Sequence, residues 1–224
     1  MIHLHAPQYA SLSAADKALL GGGAPDLVRP YLALWRDESA TPLVSLPEIA
    51  AATGIGHVFL KDEGQRLGLG SFKALGGAYA VMTLFKRMLE AHLDGEVSIA
   101  RLVSPAARAL AAGVTFCCAT DGNHGKSVAA GARILGCKSV IFVHEGVTAA
   151  RAEAIGADEV VRVDGNYDMS VDEAGRIARE RGWQLVSDTS WEGYEEIPSL
   201  VAQGYTVLAN EALAQIAALK RNPP

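Results

Sequence analysis

Val114-Thr115-Phe116-Cys117-Cys118-Ala119-Thr120, followed at once by Asp121-Gly122-Asn123-His124-Gly125, is the stretch that begins the regular half of the chain. Its first seven residues are apolar or β-branched and read as a strand. Asn123 to Leu135, stopped by Gly136, reads as a helix. The alternation then repeats. Lys138–Val143 is a strand, Thr148–Ile155 a helix stopped by Gly156, and Glu159–Val163 a strand. A helix begins near Asp168–Ser170, with Ser170 and Glu173 spaced as a capping box, and stops at Gly182. Trp183–Val186 is a further strand. Strands alternating with helices of this length need parallel crossovers, so the expected class is α/β with a parallel sheet.

Upstream, Lys61-Asp62-Glu63-Gly64-Gln65-Arg66-Leu67-Gly68-Leu69-Gly70-Ser71-Phe72-Lys73 leaves an apolar strand, His57–Leu60, and crosses a loop with three glycines. Lys73 opens a helix to about His92, whose apolar positions Leu75, Ala78, Met82, Phe85 and Leu89 form one buried face. An amine there sits near the positive end of a helix dipole, which disfavours its charged form and favours attack on a carbonyl. Earlier still, Ser13–Leu20 is a short capped helix ended by Gly21-Gly22-Gly23, the chain to about Pro30 is otherwise loop, and Tyr31–Trp35 is irregular. Thr41–Leu46 is extended, and Pro47–Ala52 is a short helix closed by Gly54. Asp188 to Pro198 is a turn, and a helix follows to about Lys220. The implied organisation is a partial large domain over 1–92 and 188–224, a small parallel α/β subdomain over 113–187, and a connector over 93–112.

Composition narrows the function classes. The 224 residues are 50% hydrophobic, enough to bury a real core. The net charge is −5 with no basic stripe, which argues against nucleic acid. No apolar run is long enough to span a bilayer, and Met1-Ile2-His3-Leu4-His5 carries no secretory signal. Cys117 and Cys118 are neighbours on a strand and point to opposite faces; with Cys137 they read as reduced core residues of a cytoplasmic protein. Gly68-Leu69-Gly70 lacks the third glycine of a dinucleotide fingerprint, and Gly64–Lys73 is not a Walker loop.

The chemistry-bearing residues stand at strand ends. Ligands of open parallel sheets bind there, and the helix N-terminus after Thr120 offers N–H groups to an anion. Asn123 reads equally as a cap of its own helix or as a ligand contact. Asp121, a carboxylate beside an anion site, suits a general base. His124 reads as a loop or interface residue, with substrate contact the lesser reading. Asp188 reads as an Asx-turn residue or as a site carboxylate.

Ser71-Phe72-Lys73 with Gly76-Gly77, and then Gly122-Asn123-His124-Gly125, resemble fold-type II pyridoxal-phosphate enzymes, the group of the threonine dehydratases and the tryptophan synthase β-subunit. Thr120-Asp121 stands where common dehydratases carry two serines. With Asp188-Thr189-Ser190-Trp191-Glu192-Gly193-Tyr194 and Gln203-Gly204-Tyr205, the chain is similar to the diaminopropionate ammonia-lyase branch. The resemblance implies a pyridoxal 5'-phosphate cofactor bound by Lys73 as a Schiff base, packed by Phe72 and hydrogen-bonded by Asn123. It implies a small amino-acid substrate, 2,3-diaminopropionate, held by Thr120, Asp121, Gly122 and His124 and eliminated to pyruvate and ammonia. Lys73 and Asp121 are the implied bases on opposite faces, and Asp188 a second carboxylate toward the β-ammonium. Full-length members of the branch are expected to be homodimers.

Fold-type II enzymes also hold the cofactor phosphate on a later glycine-rich loop, which is not in these 224 residues. The resemblance therefore reads this sequence as the N-terminal part of a longer enzyme, with weak cofactor binding and little lyase activity by itself. The alternatives are a serine or threonine dehydratase and a non-catalytic remnant.

Overall fold

A computed structural model describes residues 13–35 and 39–221. The Met1–His5 stretch and Pro224 lie outside the described residues.

Helix α1 (Ala14–Leu20) opens on a capping box in which the Ser13 hydroxyl accepts the Asp16 N–H at 3.0 Å. Helix α2 (Ala24–Leu32) follows, where the sequence reading expected loop and irregular chain. Pro25 falls in the first turn, where its missing N–H has no intrahelical partner to lose, and Val28, Tyr31 and Leu32 give the helix a buried face. Strands β1 (Leu43–Ser45) and β2 (Phe59–Lys61) pair antiparallel as a separate two-stranded sheet. Helix α3 (Pro47–Thr53) lies between them and ends on Gly54 at φ 68°.

Helix α4 (Lys73–Leu93) carries the buried stripe Leu75, Ala78, Met82, Phe85 and Leu89. Helix α5 (Pro105–Ala111) starts on Ser104, whose hydroxyl accepts the Ala107 N–H. The regular part then runs β3 (Thr115–Ala119), α6 (Asn123–Leu135), β4 (Lys138–His144), α7 (Ala149–Glu153), β5 (Glu159–Val163), α8 (Tyr167–Arg181) and β6 (Gln184–Leu185). Its strands lie in the order β5-β4-β3-β6, every pair parallel. The long helix α9 (Glu196–Arg221) closes the described chain.

The expected cap of α8 is corrected. Asn166 caps it, accepting the Met169 N–H at 3.0 Å, while Ser170 lies inside the helix and donates to the Tyr167 carbonyl. The chain turns at Gly165, φ 111°, so the helix starts as soon as the turn is complete and the later box is bypassed. The cysteines sit as read: all three are free and buried. Cys117 faces Phe142 and Ala174 on one side of the sheet, and Cys118 joins the main core with Phe116 and Ile141 on the other. Burial pushes the Cys117 and Cys137 thiols up to about 12.

One continuous apolar cluster extends from Val28 to Val207. At its centre α4 is gripped between α6 and α9 through small residues. A Cβ on Gly204 would lie 2.6 Å from the Leu75 carbonyl oxygen and 2.8 Å from Gly76 Cα, and one on Gly131 would lie 3.0 Å from Ala78 Cα. The Ser127 hydroxyl of α6 accepts the Ala78 N–H at 2.8 Å and donates to the Ala74 carbonyl at 3.0 Å. Those two backbone groups would bond to each other in an undisturbed α-helix.

Gly204→Ala is therefore expected to lower stability by roughly 1–3 kcal/mol, because the obstructing atoms are backbone and cannot rotate away. Gly22→Ala, with nothing within 4 Å of the added methyl, is the control. Urea unfolding of both variants checks this; equal midpoints would refute the close-packing account.

Candidate active site

Three chain segments converge at one end of the parallel sheet: the N-terminus of α4, the loop from β3 into α6, and the segment after β6. They enclose a cleft of about 230 Å³. Lys73, Thr120, Asp121, Gly122, Asn123 and Asp188 line it. Of the residues singled out in the sequence, Phe72 and His124 are not in its wall.

Lys73 enters from the first turn of α4, where its N–H donates to the Ser71 hydroxyl at 3.2 Å. Its Nζ donates to Asp188 Oδ2 at 2.7 Å. Beside the helix end read from the sequence, the amine thus has a carboxylate in direct contact. On the other side, Nδ1 of His124 lies 3.7 Å from the same oxygen. Burial pushes the Asp188 carboxyl up, but the His124 ring and the Lys73 ammonium outweigh it and hold the group below the usual carboxylate range.

His124 lies behind the cleft, 1% exposed. Its Nε2–H donates to the Val186 carbonyl at 2.7 Å, which leaves Nδ1 unprotonated toward Asp188. Desolvation pulls its pKa below the ordinary value despite the pull of Asp188, so the ring is neutral near pH 7. Its place is under Asp188.

The loop owes its shape to Thr120 and Gly122. The buried Thr120 hydroxyl accepts the N–H groups of Gly122 at 3.0 Å and Gly125 at 3.3 Å. Gly122, at φ 147°, takes a conformation closed to side-chain-bearing residues and is itself the N-cap of α6. Asn123 is the first helical residue and caps nothing, so its side chain is left facing the cleft. The Asn123 and His124 N–H groups are the free donors at this helix end among the described residues. Asp121 projects from the loop and accepts a hydrogen bond on Oδ1 from His144 Nε2 at 3.0 Å.

Phe72 sits to one side, its ring edge-on to Tyr205 with centroids 5.1 Å apart. The Tyr205 hydroxyl is buried without a partner among the described residues, and burial pushes it well above its usual range. Lys126, Arg151, Ala154 and Tyr167 complete the cleft wall and were missed in the sequence. Tyr167 opens α8 and Arg151 lies in α7, both after parallel strands, so the rule that sites gather at carboxyl ends was a signal for them. Lys126 lies three residues after Asn123 on one helix and shares its face. No cluster of His, Cys, Asp or Glu fit for a metal is present among the described residues, and no helix among them is long and apolar enough to cross a membrane.

Comparison with known proteins bears on this cleft. Residues 34–223 match the pyridoxal-phosphate dependent enzyme family. The chain is 39% identical over 208 residues to the diaminopropionate ammonia-lyase of Salmonella typhimurium, covering 92% of this chain and 51% of that one. It is 42% identical over 180 residues to the Escherichia coli K12 protein of the same name, covering 79% and 44%. The crystal structure of the Escherichia coli enzyme in complex with D-serine superposes with a TM-score of 0.79 at 35% identity, covering 90% of this chain and 51% of that one. The chain thus spans about half the length of the curated relatives it matches. The α/β architecture is that of fold-type II enzymes.

Asp188, depressed in the folded state, adds stability above its unfolded value near 3.9 and loses it as pH falls through the folded value. The difference in unfolding midpoint between the unaltered chain and Asp188→Asn should accordingly be larger at pH 6 than at pH 3. A difference that does not change with pH would contradict the Lys73–Asp188 pairing.

Proposed function

The chain belongs to the pyridoxal-phosphate-dependent enzyme family, and from that premise we propose that it contributes the active-site half of an enzyme that eliminates ammonia from 2,3-diaminopropionate to give pyruvate. The observation that carries this is the pair of carboxylates, Asp121 and Asp188, on one cleft with Lys73. A substrate with a second ammonium needs negative charge at the site, whereas a hydroxyl leaving group does not.

The family's cofactor is pyridoxal 5'-phosphate. The residues present fit its carbonyl end: an amine on the cleft, and an Asn123 side chain released from capping. Lys73 would hold the group through Nζ and Asn123 through its amide, whereas Phe72, expected against its ring, stands outside the cleft wall on Tyr205. Bound there, it supplies an electron sink for the pair left behind when the substrate's α-proton departs.

The chain's own residues handle protons and charge. Lys73 Nζ removes the α-proton on one face, and Asp121, entering from the loop on another side of the cleft, removes it on the opposite face. Asp188 holds the Lys73 ammonium at rest and offers its carboxylate to the β-ammonium of the substrate. The free Asn123 and His124 N–H groups receive the substrate carboxylate at the positive end of α6. Thr120 and Gly122 hold that loop open for it. The 113–187 region is proposed to act as a small subdomain. A homodimeric, cytoplasmic enzyme completes the proposal, supported by the motif resemblance.

The test is pyruvate release by the full-length protein from 2,3-diaminopropionate and from serine. The diamine is expected to be the better substrate by kcat/KM. Lys73→Ala is expected to abolish elimination and to lose the cofactor label fixed by borohydride reduction. Preference for serine would sink the diamine assignment, and undiminished labelling of Lys73→Ala would sink the role of Lys73.

A further inference from the structure

Asp121 is 66% exposed, and an exposed carboxylate has many rotamers open to it. Among the described residues it has one hydrogen-bond partner, His144, the last residue of β4. The tautomer of that ring follows from its other side. His144 Nδ1 accepts the Gly146 N–H at 3.1 Å, so Nδ1 carries no proton and Nε2 does. Nε2–H then donates to Asp121 Oδ1 at 3.0 Å. The turn after β4 is built around the ring: a Cβ on Gly146 would lie 2.7 Å from His144 Cε1 and 3.0 Å from Nδ1. Gly146 has no positive φ, so glycine is needed there for the space it leaves to the imidazole.

We infer that His144 is the positioning residue for Asp121: fixed by Gly146 in the Nε2–H tautomer, it holds Oδ1 and leaves Oδ2 as the oxygen that takes the substrate α-proton. The inference rests on the reading of Asp121 as the base for one enantiomer of the substrate, with Lys73 serving the other. A role in folding alone does not account for the arrangement. Side-chain exposure is 24% for His144 and 66% for Asp121, and a solvent-exposed polar contact adds little to stability. Aligning a base, by contrast, bears directly on rate, since a small misplacement of a reacting group is costly.

The experiment uses the full-length protein with its cofactor, the variants His144→Phe and His144→Gln, and D- and L-2,3-diaminopropionate assayed separately. His144→Phe is expected to lower kcat for one enantiomer by roughly 10- to 100-fold with little change in KM, and to leave the other within about twofold. His144→Gln, which can place an amide N–H near the position of Nε2, is expected to restore most of the loss. Equal losses for both enantiomers, or no loss for either, would overturn the assignment. An activity-independent arm is nitrogen NMR of the His144 ring, expected to show the neutral Nε2–H tautomer. A ring protonated on Nδ1 overturns the inference whatever the rates. Failure of the unaltered protein to turn over either enantiomer would instead count against the ammonia-lyase reading, leaving the NMR result to decide the position of the proton.

Discussion

The site depends on how closely helix α4 is gripped. Side chains that separate most packed helices are missing along two of its faces. Gly204 of α9 meets the Leu75 carbonyl, and Gly131 of α6 meets Ala78, at distances that leave no room for a methyl group. Ser127 then reaches into the first turns of α4 and takes over the bonding of Ala74 and Ala78. Backbone contacts have no rotamers, so they fix position more tightly than interdigitated side chains do. Gly76-Gly77, which entered as part of a cofactor motif, thus also lets the neighbouring helices come close. The Lys73 backbone is fixed one turn before these contacts, and its amine reaches Asp188 from there.

A second constraint fixes the loop leading to α4. Arg66, 2% exposed, donates to Glu63 Oε2 at 2.7 Å and to Glu211 Oε2 of α9 at 2.6 Å, and Lys61 pairs with Glu211 at 2.8 Å. Two cations and two carboxylates balance in a nearly dry place. Such a cluster gives little net stability compared with apolar packing, because each ion gives up its hydration. Breaking it is costly, because a buried charge is left alone. Its effect is to tie the end of β2 to α9, so that the loop and the helix after it share the frame of the core.

Much of this was legible in the sequence where the signal is local. The helix bounds Asn123 to Leu135, the stops at Gly136 and Gly182, and the opposite faces of Cys117 and Cys118 all follow from periodicity and glycine chemistry within a few residues, whereas α7 ends at Glu153, capped by Ala154 before Gly156 is reached. The α2 helix was missed in a stretch read as loop; it carries two prolines, of which Pro25 sits in the first turn, where a helix tolerates proline. The Asn166 cap was missed because a better-known pattern lay four residues on. The Glu211 pairing with Arg66 joins residues 145 positions apart, and no short window contains it. His144 was out of reach for the same reason. It ends a strand that looks like its neighbours, and its contact with Asp121 exists only once β3 and β4 lie side by side.

That adjacency also separates the roles of the two carboxylates. Asp188 lies between Lys73 and the buried His124, whose pKa desolvation lowers, and its carboxyl is held below the usual range. It suits a group that stays charged through a reaction. Asp121 is exposed and lines the cleft, with one N–H from an adjacent strand on Oδ1. It suits a group that takes up a proton and gives it back to water. Two chemically identical side chains on one cleft thus differ in burial and partners, the circumstance that sets pairs of titratable groups in active sites apart. Parallel neighbours β3, β4 and β6 set the division: Asp188 follows β6, where α4 covers it, and Asp121 follows β3, where β4 supplies only a single histidine.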